Sequence, residues 1–298
     1  MKKISCFSYK GGAGRTTLAL NVVPYLADQL NATPEHPLIL VDMDVDSCGI
    51  TYFFNLEDYK DIDRFSVQAL FGSMGAVPRD DIAETVQEHT LFRHLCPVGQ
   101  WFNYAPTAIL CLPAEPGGAL GANNYDGRPS KVRDFIEECE TYECCGILFD
   151  SAVGDQLTAI WSNLSSDYIM CTMRPTKQFR EGTQRFFDKF DERIARGKKI
   201  IVIPNVVPTE PLTIEGPDGT HNYPEFAKSE IIRSFEDNVE RNTNQYNLSM
   251  LEGDLFGVPK IDRFMWQEGI LRTASKLTDT ERIALERYKR IAEIICKD

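Results

Sequence analysis

The sequence lacks an apolar run of the roughly 18 residues that a membrane-spanning helix requires, which argues against a transmembrane segment. Its first residues, MKKISCFSYKGG, lack the sustained apolar stretch and the small-residue cleavage site of a signal peptide, so we expect a first strand there. Basic side chains are outnumbered, 32 against 44 acidic ones, and the net charge of −12 disfavours attraction of the whole surface to nucleic acid or anionic lipid. Binding to either would need a local basic patch.

The cysteines are numerous but have no metal-binding spacing. The chain has nine cysteines, an odd number, which are scattered through apolar segments, and no two of them form a C-x-x-C pair. The four histidines likewise show no spacing typical of metal binding or catalysis. We therefore expect reduced, mostly buried thiols in a cytoplasmic protein.

Short apolar runs alternate with longer amphipathic segments, which predicts an α/β fold with a doubly wound, mainly parallel sheet and helices on both faces. With 298 residues, of which 43% are hydrophobic, the chain is long enough to bury a substantial core. The predicted strands are 3–9, 37–43, 108–114, 145–151, 167–173 and 199–205, with a shorter one over 257–261. No internal repeat divides the chain, so we expect one domain over 1–298.

Start and stop signals indicate four helices between and after these strands. Thr278 and Glu281 form an S/T-x-x-E pattern typical of a capping box, and Gly197 is a good helix stop. The predicted helices are 16–29, 130–142, 181–197 and a last one that begins after Thr278. The proline- and glycine-rich stretch 208–224 predicts an exposed loop, and 56–106 predicts a helix or two with a polar connector.

The stretch CFSYKGGAGRTTLALNVV, residues 6–23, has the composition of a phosphate-binding loop. Gly11, Gly12 and Gly14 leave room for backbone N–H groups to point inward, and the helix that follows favours anions at its N-terminus. The hydroxyl of Thr16, at the start of that helix, is suited to bind Mg²⁺. The position between a strand and a helix makes the glycine pattern more specific than it is alone.

Two positions depart from the strict pattern G-x-x-x-x-G-K-[ST]. Tyr9 stands where the first glycine is expected, and Arg15 stands where the lysine is expected. Arginine keeps the positive charge, but its planar fork is larger than an ammonium group and takes a different path against phosphates. Misplacing one charge-assisted hydrogen bond costs about 10- to 100-fold in rate or affinity, so we expect binding to be retained and hydrolysis to be slow. A glycine-rich turn without a ligand is the alternative interpretation.

The run K-G-G-A-G-R-T-T resembles the deviant phosphate loop of the ParA/MinD family of ATPases. The defining feature of that family is the lysine before the paired glycines, here Lys10, which reaches across a nucleotide-sandwich dimer to the phosphates on the other subunit. The resemblance implies a P-loop fold, ATP and Mg²⁺ as cofactors, and a homodimer that forms with ATP. The nucleotide-binding residues that it implies are Lys10, Gly11, Gly12, Ala13, Gly14, Arg15, Thr16, Thr17 and Asn205.

Later segments resemble the family's other motifs, in the same order. LILVDMDVDS resembles its D-x-D-P-Q segment, in which the second aspartate, here Asp44, acts on the attacking water. GILFDSAVGD resembles the Walker B strand and switch loop, so Asp150 would hold Mg²⁺ with Thr16, partly through water, and Gly154 would sense the γ-phosphate. IVIPNVV resembles the strand whose asparagine, here Asn205, contacts adenine. The resemblance covers most of the chain.

The resemblance implies a slow ATPase that acts as a nucleotide switch for positioning, partitioning or recruiting a partner. Lys10, Asp44 and Arg15 would carry the hydrolysis through positioning and charge stabilisation. A second hypothesis is a non-hydrolysing switch that binds ATP, dimerises and docks a protein partner, with turnover ended by Arg15. A small-molecule ligase of the same fold is a third, without a glutaminase-like extension to support it. Arsenite-type and iron–sulfur-scaffold relatives use a C-x-x-C pair, which the chain lacks.

The cargo of such a switch stays open between protein, DNA and membrane. The last helix has five basic and four acidic side chains over 281–298 and a broad apolar face, which indicates packing on its own domain and argues against membrane attachment. ParA-like members bind DNA without sequence preference through basic residues on the dimer. The candidates here are Arg263, Arg272, Lys276, Arg282, Arg287, Lys289 and Arg290. Basic side chains in mixed-charge helices are more often solvated surface, so non-specific DNA binding is the lesser alternative.

Overall fold

A computed structural model gives the structure of the chain and describes residues 1–60, 62–63, 65–72, 91–117, 129–190, 197–209, 212–216, 219–223, 225–239, 245–252 and 256–297. The strands are β1 (Lys2–Ser8), β2 (Leu38–Asp42), β3 (Cys96–Pro97), β4 (Ile109–Leu112), β5 (Gly146–Val153), β6 (Tyr168–Met173), β7 (Lys199–Pro204), β8 (Leu212–Gly216), β9 (Gly219–Tyr223) and β10 (Gln245–Asn247). The helices are α1 (Arg15–Gln29), α2 (Gly49–Phe53), α3 (Leu91–His94), α4 (Pro129–Thr141), α5 (Leu157–Ser165), α6 (Lys177–Phe190), α7 (Glu225–Val239) and α8 (Asp279–Cys296). A π-helical turn covers Gln68–Gly72, and 3₁₀ turns cover Gly99–Phe102, Pro106–Ala108, Ser249–Leu251, Asp262–Met265 and Leu271–Thr273.

Eight of the strands form one sheet in the order β10-β7-β6-β1-β5-β2-β4-β3. Every neighbouring pair in it is parallel except β3 with β4, which pair antiparallel at one edge. The first strand lies in the middle of the sheet, with β5 on one side and β6 on the other. The predicted mainly parallel α/β fold is confirmed.

Alternate side chains of each strand face opposite layers of helices. Leu38 and Leu40 of β2 pack with α1 and α8, whereas Ile39 and Val41 pack with α4 and α5. The same alternation directs Ile200 of β7 toward α6 and α7. Helices therefore cover both faces of the sheet, which leaves the carboxyl ends of the parallel strands as the place where folds of this kind bind ligands.

The helices agree with their sequence signals at most ends. The predicted capping box is present: the backbone N–H of Glu281 donates to the Thr278 hydroxyl over 3.2 Å, and the N–H of Thr278 donates to the Glu281 carboxylate over 2.8 Å. Helix α6 begins at Lys177, earlier than the predicted start at 181, because the Thr176 carbonyl accepts the N–H of Arg180 and adds a turn. Its predicted end at 197 follows residues 191–196, which lie outside the described part of the chain.

Two sequence predictions are wrong. The stretch 208–224, predicted as an exposed loop, contains an antiparallel hairpin in which β8 pairs with β9. Its β-branched residues favour strands, a signal obscured by the neighbouring prolines and glycines. The predicted strand over 257–261 is an isolated bridge between Val207 and Pro259, because Gly257 has a φ of 68° and proline has no N–H for a ladder.

The remaining sequence predictions about packing hold where the structure describes the residues. None of the nine cysteines forms a disulfide, and seven of them are buried, as their apolar surroundings predict. Within 56–106, the described residues include the π-helical turn and the short helix α3, while 73–90 lie outside the described part.

Candidate functional site

The glycine-rich loop lies at the centre of the sheet, between β1 and α1, where it meets the carboxyl ends of β5 and β6. Gly12 and Gly14 have φ values of 80° and 73°, in the left-handed region that favours glycine. At Gly14, a Cβ atom would also lie 2.8 Å from the side-chain nitrogen of Asn205. The backbone conformation of the loop therefore requires glycine at these two positions.

Two side chains from outside the loop hold three of its carbonyl groups. Arg174 Nε donates to the carbonyl of Gly12 over 2.7 Å. Asn205 Nδ2 donates to the carbonyls of Ala13 and Gly14 over 2.8 and 3.2 Å. In a planar trans peptide the N–H points opposite to the C=O, so the N–H groups that follow these carbonyls are turned away from the anchors. A row of N–H groups with one orientation at a helix N-terminus is suited to bind an anion.

Asn205, to which the resemblance gives an adenine contact, is a structural partner of the loop in this structure. Its backbone N–H donates to the Met173 carbonyl over 2.8 Å, and its side-chain oxygen accepts the N–H of Val206 over 2.9 Å. These bonds orient the amide so that its nitrogen faces the loop. The adenine contact stays a prediction.

Arg15 is buried and bound by two carboxylates. Its guanidinium donates to Asp44 Oδ2, and its Nε lies 3.5 Å from Asp150 Oδ1. A third contact joins its Nη1 to the hydroxyl of Ser8 over 3.3 Å. The charge that the strict pattern directs to the phosphates is therefore shared between two acidic side chains at the sheet edge.

Thr16 and Asp150 are brought together as the motif predicts. The Thr16 hydroxyl donates to Asp150 Oδ2 over 2.6 Å, while the buried Asp150 Oδ1 has no hydrogen-bond partner. Burial raises the pKa of the Asp150 carboxyl to about 6, although the neighbouring Arg15 guanidinium lowers it. Among the described residues, no group of three or more His, Cys, Asp or Glu could hold a metal ion. A hydroxyl and one carboxylate, with the remaining positions left to water and phosphate, fit Mg²⁺.

Asp42 and Asp44, at the end of β2, have different partners. Asp42 is fully buried, and its Oδ2 accepts the N–H and the hydroxyl of Thr51 over 2.9 and 2.7 Å. Burial, together with the charge of the nearby Asp150, raises the pKa of Asp42 to about 7. Asp44, predicted to orient the attacking water, is paired with Arg15. The charges of Asp42, Asp44 and Asp150 thus act on one another, while one guanidinium contacts only two of these carboxyls, and a bound cation would relieve the excess negative charge.

Residues before the glycines contact helix α6. Lys10 is exposed, and its Nζ donates to the side-chain oxygen of Gln178 over 2.8 Å. The ring of Tyr9 lies against the backbone of Gly182, one turn further along the helix. The reach of Lys10 to a second subunit stays a prediction, and within one subunit this lysine is held by α6.

Gly154, which the resemblance predicts to sense the γ-phosphate, is connected to the same part of the loop. Gly154 follows β5 directly, has a φ of 61°, and donates its N–H to the carbonyl of Ser8 over 3.1 Å. The Ser8 hydroxyl in turn donates to the carbonyl of Lys10 over 3.1 Å. A displacement of Gly154 would therefore be transmitted through Ser8 to Lys10, at the start of the glycine-rich loop.

Three residues that contact the loop were not predicted from the sequence, namely Ser8, Arg174 and Gln178. Arg174 follows β6 immediately, and a charged residue near the carboxyl end of an apolar strand is the same kind of signal as at Asp44 and Asp150. Ser8 and Gln178 carry no such signal, because a single polar residue in a strand end or a helix has no distinctive pattern.

Several basic residues proposed for DNA binding are paired with acidic side chains. Arg263 Nε lies 3.0 Å from Glu281, which is buried, and Arg272 Nη1 lies 2.6 Å from Asp28. Arg290 lies 3.1 Å from Glu252. These pairs neutralise part of the surface that would have to form a basic patch.

Helix α8 packs on its own sheet, as its mixed charge predicts. Tyr288, Ile291 and Ile295 are buried among residues of α1 and the central strands. Its outer face keeps charged residues beside the partly exposed Ile283. No helix in the described part of the chain is both long and apolar enough to cross a membrane.

No protein-family model matches the chain, and no curated protein matches it in sequence. Solved structures match its fold over nearly the whole length. A McdA variant of Cyanothece in complex with ATP has 13% identity and a TM-score of 0.60, with 100% of this chain and 96% of that chain covered. MinD of Pyrococcus horikoshii with Mg-ADP has 15% identity and a TM-score of 0.58, with 99% and 95% covered. A cobyrinic acid a,c-diamide synthase of Mycobacterium smegmatis, with ADP and magnesium, has 12% identity and a TM-score of 0.59, with 100% and 95% covered.

Likeness at these identities establishes the fold, and function has to be argued from the site. Because a synthase shares the fold as well, the fold by itself does not separate a nucleotide switch from a ligase. A ParA family ATPase of Chlorobium tepidum also matches, with a TM-score of 0.53 and 15% identity. The chain therefore has the fold of the ParA and MinD ATPases, which is the fold that the resemblance of residues 10–17 predicts.

Proposed function

We propose that the chain is a nucleotide switch of the ParA/MinD type, a single domain that binds ATP with Mg²⁺ and forms a sandwich homodimer around it. The observation that carries the proposal is the phosphate loop, in which side-chain donors hold the carbonyls of Gly12, Ala13 and Gly14. The N–H groups that follow are thereby oriented to bind phosphate oxygens. The choice of ATP is supported by the shared fold, since McdA was solved with ATP and MinD with Mg-ADP.

The triphosphate would be bound by residues 10–17, with Lys10 reaching the phosphates on the other subunit. Thr16 and Asp150 would hold Mg²⁺, which neutralises phosphate charge when bound. The buried Asp150 oxygen without a hydrogen-bond partner supports this assignment. Asn205 would contact adenine beside the loop that it anchors.

Hydrolysis is proposed to be slow because Asp44, the residue assigned to orient the attacking water, is bound by Arg15. Asp44 is paired with Arg15, and both side chains are buried. Asp44 Oδ2 can orient a water molecule only after the guanidinium has left it, and separating a buried ion pair is unfavourable. Turnover would then rely on positioning and charge stabilisation in the minority of molecules in which the pair has opened.

The same ion pair favours a second candidate, a switch that binds ATP and dimerises without hydrolysing it. If Arg15 keeps Asp44 after ATP binds, the attacking water lacks its orienting group. The dimer would then persist until nucleotide exchanges, and the protein would act as an ATP-dependent scaffold for a partner.

A protein partner is the proposed cargo, and the cytoplasm is the proposed location. The pairing of Arg263, Arg272 and Arg290 with carboxylates supports a protein over non-specific DNA. The absence of disulfides among the nine cysteines is in keeping with a reducing compartment. Membrane attachment is not proposed, since the apolar face of α8 is used for packing.

The proposal is tested by measuring mass in solution by size-exclusion chromatography with light scattering, first with ADP and then with ATP and Mg²⁺, while phosphate release is followed in the same samples. We expect a monomer with ADP and a dimer with ATP. The Lys10→Ala variant should still bind nucleotide as a monomer but should not dimerise. Lys276→Ala, which removes another exposed lysine, is the matched control and should dimerise normally.

The outcomes separate the candidates. A dimer with slow phosphate release supports the slow ATPase, and a dimer without release over hours supports the scaffold. Absence of any nucleotide response, or a Lys10→Ala variant that dimerises as well as the wild type, contradicts the proposed switch.

A further inference from the structure

Within one subunit, both cationic side chains of the phosphate loop are bound by other side chains. Arg15 is buried and bound by Asp44 and Asp150. Lys10 is bound by Gln178, and under the proposed function its charge serves the phosphates of the other subunit. A nucleotide in this loop would therefore receive N–H groups from its own subunit but no cationic side chain from the loop, although its phosphates carry several negative charges.

Arg174 lies beside the loop and has the donors to fill this role. Its Nε donates to the carbonyl of Gly12 over 2.7 Å, and its Nη2 would lie 3.9 Å from a Cβ atom at that glycine. The side chain is exposed, and within the described residues its hydrogen bond to Gly12 is the only one it makes. Arg263 and Arg272, by contrast, are held by carboxylates.

The backbone around Arg174 fixes the position from which its side chain extends toward the loop. The residue follows the last position of β6, at the carboxyl edge of the sheet, and precedes Pro175. A residue before proline is restricted to extended backbone, which limits the directions of its side chain. Because Nε is used on the loop carbonyl, the two terminal nitrogens form a fork that remains free for an anion.

We propose that Arg174 is a phosphate-binding residue that supplies, within the same subunit, the cationic contact that Arg15 does not make. The inference rests on the proposed function, because it assumes that the loop binds a nucleoside di- or triphosphate. Guanidinium groups bind phosphate oxygens through two parallel hydrogen bonds, which an ammonium group does not reproduce. Arg174 thus has two tasks, holding the Gly12 carbonyl through Nε and binding phosphate through its terminal nitrogens.

The test is isothermal titration calorimetry of ATP and ADP, each with Mg²⁺, on the wild type and four single variants. Arg174→Ala should weaken both affinities by about 10- to 100-fold. Arg174→Lys should recover part of the loss, because it restores the charge without the fork. Arg185→Ala removes an exposed arginine from α6, the helix that follows Arg174, and should leave both affinities unchanged.

The Arg174→Gln variant separates phosphate binding from a purely structural role. Its amide can still donate to the Gly12 carbonyl, but it carries no charge. Under the proposal it loses most of the affinity that Arg174→Ala loses, and the dependence of its ATP affinity on KCl concentration is smaller than that of the wild type, since one charge pair fewer is screened. Thermal unfolding of each variant checks that the fold is retained.

Three results would overturn the proposal. If Arg174→Gln binds as well as the wild type, the residue acts only on the loop carbonyl. If Arg174→Ala binds as well as the wild type while the wild type dimerises with ATP, the proposed switch stands and the role of Arg174 falls. If the wild type binds neither nucleotide, the proposed function and this inference fall together.

Discussion

The ring of Tyr9 lies so close to Gly182 of helix α6 that a Cβ atom at position 182 would be 2.2 Å from ring atom Cδ1 and 2.3 Å from Cε1. Tyr9 is the residue that replaces the first glycine of the strict phosphate-loop pattern. A large side chain at that position is accommodated because the facing helix has no side chain there. The departure from the pattern is therefore matched by a glycine 173 residues later, and the pair joins α6 to the start of the loop.

Gly182→Ala should lower the free energy of unfolding by about 1–3 kcal/mol, because its methyl group overlaps the Tyr9 ring. In an open helical position the same change would stabilise the protein by up to about 1 kcal/mol. Urea unfolding followed by circular dichroism measures the difference. In the Tyr9→Ala background the methyl group has space, so the added substitution should be neutral or stabilising. An equal loss in both backgrounds would show that the contact with the ring is not its cause.

The hydrogen bond between Lys10 and Gln178 predicts that α6 competes with dimer formation, because the same ammonium group is needed by the other subunit. Gln178→Ala should strengthen ATP-dependent dimerisation by about 2- to 10-fold, and Gln178→Glu, with a charged acceptor, should weaken it by a similar factor. Sedimentation equilibrium with ATP and Mg²⁺ measures both. In the Lys10→Ala background the two substitutions should give identical masses; a difference there would mean that position 178 acts on the dimer without the lysine.

Arg15→Lys restores the residue of the strict pattern and tests why hydrolysis is slow. The guanidinium of Arg15 contacts Asp44 and Asp150 at the same time. A lysine lacks this fork, so Asp44 should become available for water. We expect the rate of phosphate release to rise about tenfold or more. Arg15→Ala should instead lower the free energy of unfolding by about 3–5 kcal/mol, since it leaves buried carboxylates unpaired. Unchanged turnover in Arg15→Lys would show that the ion pair between Arg15 and Asp44 is not the cause of slow hydrolysis.

The central sheet was predictable because its strands are apolar runs buried on both faces, as in 145–151, which corresponds to β5. The edge strands β3 and β10 have only two and three residues, too few for a pattern. Helix α7 was missed although Ala227, Ile231 and Phe235 recur every four residues and are buried. The sequence of α7 thus contained a helical pattern, whereas the sequences of the edge strands β3 and β10 contained no strand pattern.

The candidate site divides in the same way. Thr16 and Asp150 were predicted because an ordered set of motifs carries them, and the structure brings them within hydrogen-bond distance. The partners of Lys10 and Arg15 were not predicted, because they are set by tertiary packing across 168 and 29 positions of the chain. A motif identifies the residue type at a position but carries no information on which distant side chain neutralises it.

Asp42 predicts how stability depends on pH in the absence of nucleotide and metal. Burial raises the pKa of this carboxyl from 3.8 to about 7 in the folded protein, with Asp150 adding to the rise. Between about pH 4 and 7 the folded state therefore binds more protons than the unfolded state, so the free energy of unfolding falls as pH rises through this range. Coupling to Asp150 limits the effect of this one group to about 1–3 kcal/mol.

Asp42→Asn removes the charge while its side-chain oxygen can still accept both hydrogen bonds from Thr51. We expect the variant to be more stable than the wild type at pH 8 and to lose less stability between pH 5 and 8, as measured by urea unfolding in EDTA. Asp46→Asn, which removes an exposed carboxylate from the loop that follows β2, should keep the wild-type slope. If the slope of Asp42→Asn also matches the wild type, Asp42 ionises as readily in the folded protein as in the unfolded chain. The excess negative charge inferred among Asp42, Asp44 and Asp150 would then be smaller than the geometry indicates, and so would the advantage of a bound cation.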